Sequence, residues 1–246
     1  MSGYNKLTLT NALIVVNVIA FVWQSTTGGG LNYDHGYLLG TAVVEHGEWW
    51  RIITSGFLHG GIAHIALNML ALYQVGNLVE LLFGKVRFLL LYFIALIGAG
   101  LAVVWFNYTI PTLGASGAIF GLFGALVAVG LRLGSRGRSL ISQVLPVIVL
   151  NLVFTFAIPG ISAAGHIGGL ITGFLAGLVL FMIPSRQRDY AYAYAVGPED
   201  ARTIEGHAVE LPGDQDPYGE TIEHPPHAAP HEEQGAQRLE LRDPRE

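Results

Sequence analysis

Cysteine is absent from the 246-residue chain, which excludes disulfides, Cys-based zinc sites and a thiol nucleophile. Charge is scarce as well. Asp, Glu, Lys and Arg make up 13% of the residues, against about 25% in a soluble globular domain. With a mean hydropathy of +0.48, the chain is not an ordinary soluble domain. Acids are rarest of all in the first three quarters: up to Pro184 they are only Asp34, Glu45, Glu48 and Glu80. No nucleic-acid partner and no cofactor is expected.

What the chain does have is long apolar runs. A membrane span needs roughly 20 mostly apolar residues, and six segments qualify: about 9–25, 62–82, 88–106, 115–133, 140–158 and 166–183. A long, aromatic-rich loop, 26–61, separates the first two, and the other connections are short. The first run resembles a signal peptide, but Gln24-Ser25-Thr26-Thr27-Gly28 is a weak cleavage site and the run reads as a retained span. The expected fold is therefore an all-α polytopic membrane protein with six transmembrane helices. Lys/Arg placement sets orientation. Lys6, Lys85, Arg87, Arg132, Arg136, Arg138, Arg186 and Arg188 fall on one side of a six-span arrangement, and only Arg51 on the other. Both termini are thus expected in the cytoplasm, with residues 1–8 as a short N-terminus and the protein in the cell (plasma or inner) membrane.

Residues 184–246 are different material. They hold eight of the 11 prolines and 14 of the 18 acids. With no amphipathic period, this reads as a disordered acidic cytoplasmic tail, following a membrane domain over 9–183. His207, His224, His227 and His231 lie in it at spacings that match no metal-ligand pattern. The tail is either a solvated end or a handle for a cytoplasmic partner.

Polar residues inside apolar runs are functional suspects, because a bilayer makes unpaired polar groups costly. Ser116 lies in Gly114-Ala115-Ser116-Gly117 after the breaker-rich Pro111-Thr112-Leu113. A helix start there offers free N–H groups and a positive dipole end, which suit a developing oxyanion. A helix-capping serine is the competing reading. The Gly-x-Ser-x-Gly nucleophile elbow does not apply, because position 118 is alanine. His166 begins the last run, and histidine can accept a serine proton near neutral pH. No acid lies in the outer half of any span, so a Ser–His pair with the ring oriented by packing fits better than a Ser–His–Asp triad. Gly117, Gly121 and Gly124 recur in the fourth span, and Gly165, Gly169, Gly173 and Gly177 in the sixth. Small residues so spaced let helices approach closely, which would bring Ser116 and His166 within reach of each other.

A third polar group runs from His59 to Asn68. His64 and Asn68, four apart, share a helix face and can both donate to an oxyanion. A zincin needs two histidines four apart around a glutamate; here His59 and His64 are five apart with none, so no metal is expected. His59, at the loop–helix junction, reads as structural.

Together these groups resemble the rhomboid family of intramembrane serine proteases over about residues 7–183. Trp50-Arg51 precedes a His-x-x-x-x-His-x-x-x-Asn helix at His59, His64 and Asn68. Gly114 to Gly117 form Gly-x-Ser-Gly, and His166, Gly169 and Gly173 form the sixth-span motif. Glu80, twelve residues after Asn68, also fits. The resemblance implies Ser116 as nucleophile and His166 as base. It implies an oxyanion hole of His64, Asn68 and the Ser116 N–H, and structural roles for His59 and Glu80. Trp50 and Arg51 would belong to a loop lying partly in the outer leaflet, in contact with lipid. Where some members have a tyrosine stacked on the base, this chain has Phe120, which can pack but offers no hydroxyl. The implied substrates are single-span membrane proteins cut near the outer face, at sites with helix-weakening or small residues. A client-binding relative without activity would usually lack the serine or the histidine, and both are present. A transporter would often show repeated halves, and spans 1–3 are not duplicated in spans 4–6.

Overall fold

A computed structural model of the chain describes residues 8–26 and 36–182. These all belong to the first of two compact units, Met1–Val209. Lys6, the tail and its histidines lie outside the described residues, as does Asp34. The described part is all-α and crosses the membrane several times. Its helices are α1 (Leu9–Thr26), the short α2 (Gly40–His46) and α3 (Arg51–Thr54), α4 (Ile62–Phe83), α5 (Lys85–Phe106), α6 (Ser116–Arg132), α7 (Arg138–Ala157) and α8 (Ala163–Met182). Strand pairing among the described residues is one isolated antiparallel bridge, Leu38 with Thr112.

Five of these helices are long and apolar enough to span a bilayer; α6, at 17 residues, is the shorter sixth. At 1.5 Å per residue it rises about 26 Å, less than a hydrocarbon core of about 30 Å. It is also the central helix. Thirteen of its 17 residues are buried, whereas α1 and α7 bury only four and three and leave many of their apolar residues exposed. The helix α6 packs most extensively on α8 and then on α5. The close approach of α6 and α8 depends on glycine: a Cβ on Gly169 would strike the Gly117 carbonyl, and one on Gly173 the Gly121 carbonyl. Ala95 and Ala99 of α5 face the other side of Gly121 and Gly117.

Two helix starts differ from the sequence expectation by more than two residues, and one expected loop is partly helical. The helix α5 begins at Lys85, not 88, because Gly84 at φ 78° makes the whole turn: its N–H closes α4 on the Glu80 carbonyl at 2.8 Å and its carbonyl opens α5 to Phe88 N at 2.9 Å. A glycine is needed there because other residues rarely adopt that φ. The helix α8 begins at Ala163, not 166, because Ser162 caps it, its Oγ accepting from Gly165 N at 3.1 Å. His166 therefore sits inside the first turn. Finally, the expected loop 26–61 is partly helical: α2, α3 and the 3-10 turn Ser55–Phe57 occupy much of its described portion.

That portion is tied to the segment before Ser116. Leu38 and Thr112 exchange backbone hydrogen bonds of 2.8 and 2.9 Å, and Gly114 N donates to the Ser55 carbonyl at 2.9 Å. Arg51, only 4% exposed, secures the loop from inside. Its guanidinium pairs with Glu48, donates to the Tyr37 carbonyl at 2.8 Å and lies over the Tyr37 ring. Trp50 beside it is exposed.

Candidate active site

Ser116 is the first residue of α6, with Ala115 as its N-cap. The Oγ is not used as a cap. It lies 2.8 Å from His166 Nε2, so the two residues, fifty apart in sequence, form a hydrogen-bonded pair across the α6–α8 contact. Phe120, one turn on from Ser116, stacks on the imidazole with ring centroids 4.2 Å apart and planes 17° apart. The other ring nitrogen, Nδ1, is 2.7 Å from Thr155 Oγ1 of α7. As the first helical residue, Ser116 has a backbone N–H with no intrahelical acceptor.

Across the site stand His64 and Asn68, in the first two turns of α4. Gly60 N donates to His64 Nδ1 at 3.3 Å. An acceptor Nδ1 puts the proton of a neutral ring on Nε2, so Nε2–H is the donor. Gly114, at φ 123°, lets that ring come close: a side chain there would sit 2.8 Å from His64 Nε2 and 3.7 Å from Ser116 Oγ. His64 and Ser116 thus flank the same small space. The Asn68 amide donates to the His64 carbonyl at 3.1 Å, leaving its second N–H for other partners. A cavity of about 680 Å³ joins these groups; α4 lines it with His64 and Asn68, and α7 with Phe154 and Thr155. None of its lining residues is an Asp or Glu.

The remaining residues sit around this centre. His59 is fully buried with its ring edge-on to His64, centroids 5.2 Å apart. Neither of its ring nitrogens has a hydrogen-bond partner among the described residues. Burial chiefly, and the neighbouring His64 next, lower its pKa to about 4, against a weaker opposing effect of the Phe57 backbone. No group of three or more His, Cys, Asp or Glu placed to hold a metal ion occurs among the described residues. Glu80 lies at the other end of α4, where its carboxylate caps α1. It accepts from Leu9 N at 3.0 Å, Thr10 N at 2.8 Å and Thr10 Oγ1 at 2.9 Å. Gly169 and Gly173 set the α6–α8 spacing described above. Trp50 and Arg51 belong to the loop and do not line the cavity.

Two residues escaped the sequence reading. Gln24 of α1 clamps the backbone of His59 with a pair of hydrogen bonds, 2.9 Å to the carbonyl and 3.1 Å from the N–H. Its signal was an amide near the end of an apolar run. Thr155 had a signal too: with Val144, Ile148 and Asn151 it falls at helical spacing on one face of α7.

Comparison with known proteins shows the family of the chain. Residues 46–183 match the Rhomboid domain. The rhomboid protease GluP of Bacillus subtilis (strain 168) is 41% identical over 179 residues, which cover 71% of this chain and 35% of GluP. A second protein of that organism, the rhomboid YdcA, is 34% identical over 175 residues, 69% of this chain and 80% of YdcA. The Inactive RHOMBOID-like protein 8 of Arabidopsis thaliana is 36% identical over 147 residues, 58% of this chain and 40% of its own length. The chain thus spans about a third of GluP.

Proposed function

Because the chain belongs to the rhomboid family, we propose that it is an intramembrane serine endopeptidase that uses Ser116 as nucleophile and His166 as general base. The observation that carries this reading is the 2.8 Å contact between Ser116 Oγ and His166 Nε2, in a cavity between membrane-spanning helices. A capping serine would direct its oxygen to the backbone of its own helix; this one meets a base.

The chemistry follows from the groups present. A substrate carbonyl lies over Ser116 and the hydroxyl attacks it, its proton passing to His166 Nε2. Negative charge collects on the carbonyl oxygen, held by His64 Nε2–H, the Asn68 amide and the Ser116 N–H. His166 returns the proton to the leaving amine, which carries away one half of the substrate. Water then hydrolyses the acyl-enzyme, with His166 again taking and returning a proton. A helical peptide hides its carbonyls in its own hydrogen bonds. Substrates are therefore single-span proteins with small or helix-weakening residues near the cut. Lys/Arg bias favours both termini in the cytoplasm and cleavage near the outer face of the plasma or inner membrane. His59, Glu80, Phe120, Gly169, Gly173, Trp50 and Arg51 act as supports. Residues 184–246 follow the family match, which ends at 183, and serve as an acidic cytoplasmic appendage.

The test is cleavage of a single-span reporter in reconstituted membranes by wild type, Ser116→Ala and His166→Ala. Wild type should cut, and both variants should lose at least about 10³-fold of the rate while keeping the wild-type melting temperature. Cleavage surviving Ser116→Ala would move the nucleophile elsewhere. Client binding without cleavage by wild type, over a panel of reporters with Gly or Ala near the span end, would favour the binding-only reading.

A further inference from the structure

We infer that Thr155 is a positioning residue: its hydroxyl fixes both the tautomer and the orientation of His166, the place an aspartate holds in a Ser–His–Asp triad. The inference rests on the reading of His166 as the base for Ser116.

A threonine hydroxyl has one proton to donate and two lone pairs to accept with. Thr155 Oγ1 spends that proton on the Asn151 carbonyl, one helical turn back, at 2.7 Å. It can then only accept from His166, whose Nδ1 lies 2.7 Å away. Nδ1 must therefore carry the ring proton of the neutral imidazole. That leaves a lone pair on Nε2, the atom 2.8 Å from Ser116 Oγ, and the serine hydroxyl can donate to it. The opposite tautomer would present Nε2–H to the serine, a donor where a base is needed, and would leave Thr155 Oγ1 facing a bare Nδ1 with its only proton already committed.

The same contact limits the ring's motion. Phe120 covers one face, which restrains tilt but not rotation within the plane. Hydrogen bonds at both nitrogens, to residues on α6 and α7, stop that rotation. The fold makes the contact reachable. Thr155, 4% exposed, lies near the end of α7 and His166 in the first turn of α8, and the intervening turn contains Gly160 at φ 89°.

A neutral hydroxyl suits this location. None of the cavity's lining residues is a Lys or Arg, so a buried carboxylate beside Nδ1 would lack a permanent counter-charge until the imidazolium formed, and burying an unpaired charge is costly. The hydroxyl avoids that penalty. It still accepts from Nδ1–H when Ser116's proton arrives at Nε2, and the Asn151 carbonyl polarises it to accept more strongly.

The experiment uses the full chain in detergent or nanodiscs. The first readout is the ¹⁵N signal pattern of the His166 ring, assigned by its loss in His166→Gln; it requires no substrate. Wild type should show the proton on Nδ1. The second is kcat and KM on the reporter for Thr155→Val, which keeps shape and loses the hydroxyl, with Thr155→Ala in reserve if the valine variant does not fold. The expected result is a fall in kcat of about tenfold, the worth of one hydrogen bond, with KM unchanged and Nε2-protonated ring appearing. Thr155→Ser should recover most of the lost rate and the Nδ1 tautomer. A residue that merely packs α7 would change the melting temperature and neither of these. A wild-type ring protonated on Nε2, or a valine variant with wild-type kcat and tautomer, overturns the inference. Full cleavage by His166→Ala instead removes the reading beneath it, and the two failures are told apart.

Discussion

Three histidines within one small volume have three different surroundings. His64 has its Nδ1 occupied by the Gly60 N–H, so it faces the site as a donor. His166 meets a serine at Nε2. His59 is buried, edge-on to His64, with no hydrogen-bond partner at either ring nitrogen among the described residues. Each surrounding gives a measurable expectation. Removing the His64 donor in His64→Ala should lower kcat by roughly 10²–10³-fold, the usual loss for one oxyanion donor, with a smaller change in KM. Reporter kinetics check this, and an unchanged kcat would remove His64 from the oxyanion hole. For His59, burial holds the pKa down to about 4 from an ordinary 6.5. Above pH 6.5 the ring is neutral whether the chain is folded or not. Between about 6.5 and 4 the unfolded chain binds the proton and the folded chain does not, so stability falls as pH falls through that window. Melting curves across it should show a steeper decline for wild type than for His59→Gln; parallel declines would contradict the assignment. Of these residues, His59, His64, His166 and Ser116 stood out in the sequence because polar groups are conspicuous in apolar runs. Thr155 did not, because threonine is common in membrane helices and bonds readily to its own backbone.

Between elements, the same preference of buried polar groups for partners joins distant parts of the chain. The Glu80 carboxylate takes the place of a local N-cap for α1: it satisfies two backbone N–H groups that the helix start leaves free, and its charge faces the positive end of the dipole. In Glu80→Gln the charge is lost and one acceptor becomes a donor pointed at donors. The expected loss is about 1–3 kcal/mol of stability, seen as a lower melting temperature, with cleavage largely kept well below that temperature because His64 lies at the other end of α4. An unchanged melting temperature would mean the cap is not needed. The long apolar helices were readable from hydropathy to within a few residues, since burial in lipid demands long apolar helices. Their ends were less so. Gly84 and Ser162 moved two helix starts by single-residue geometry, and α2 and α3 were hidden in a loop whose helices are too short for a periodic signal.

For the molecule as a whole, orientation can be tested directly, because the chain has no cysteine of its own. Single substitutions at exposed Ser135, between α6 and α7, and exposed Thr109, between α5 and α6, report the two sides. In right-side-out vesicles an impermeant maleimide should label Thr109→Cys at once and Ser135→Cys only after permeabilisation. The reverse pattern would invert the proposed topology and put the site at the cytoplasmic face. The amino-acid sequence alone determined the membrane class, the long apolar helices and the polar side chains set among them, because apolar length and isolated polar groups are local properties. It also supplied the glycines that let α6 and α8 meet. Only the tertiary structure decided that Ser116 spends its hydroxyl on His166 and not on a cap, and that a threonine from a third helix completes the contact. Those outcomes depend on where each hydrogen-bonding group finds its partner once the helices are packed, and most of those partners are far away in the chain.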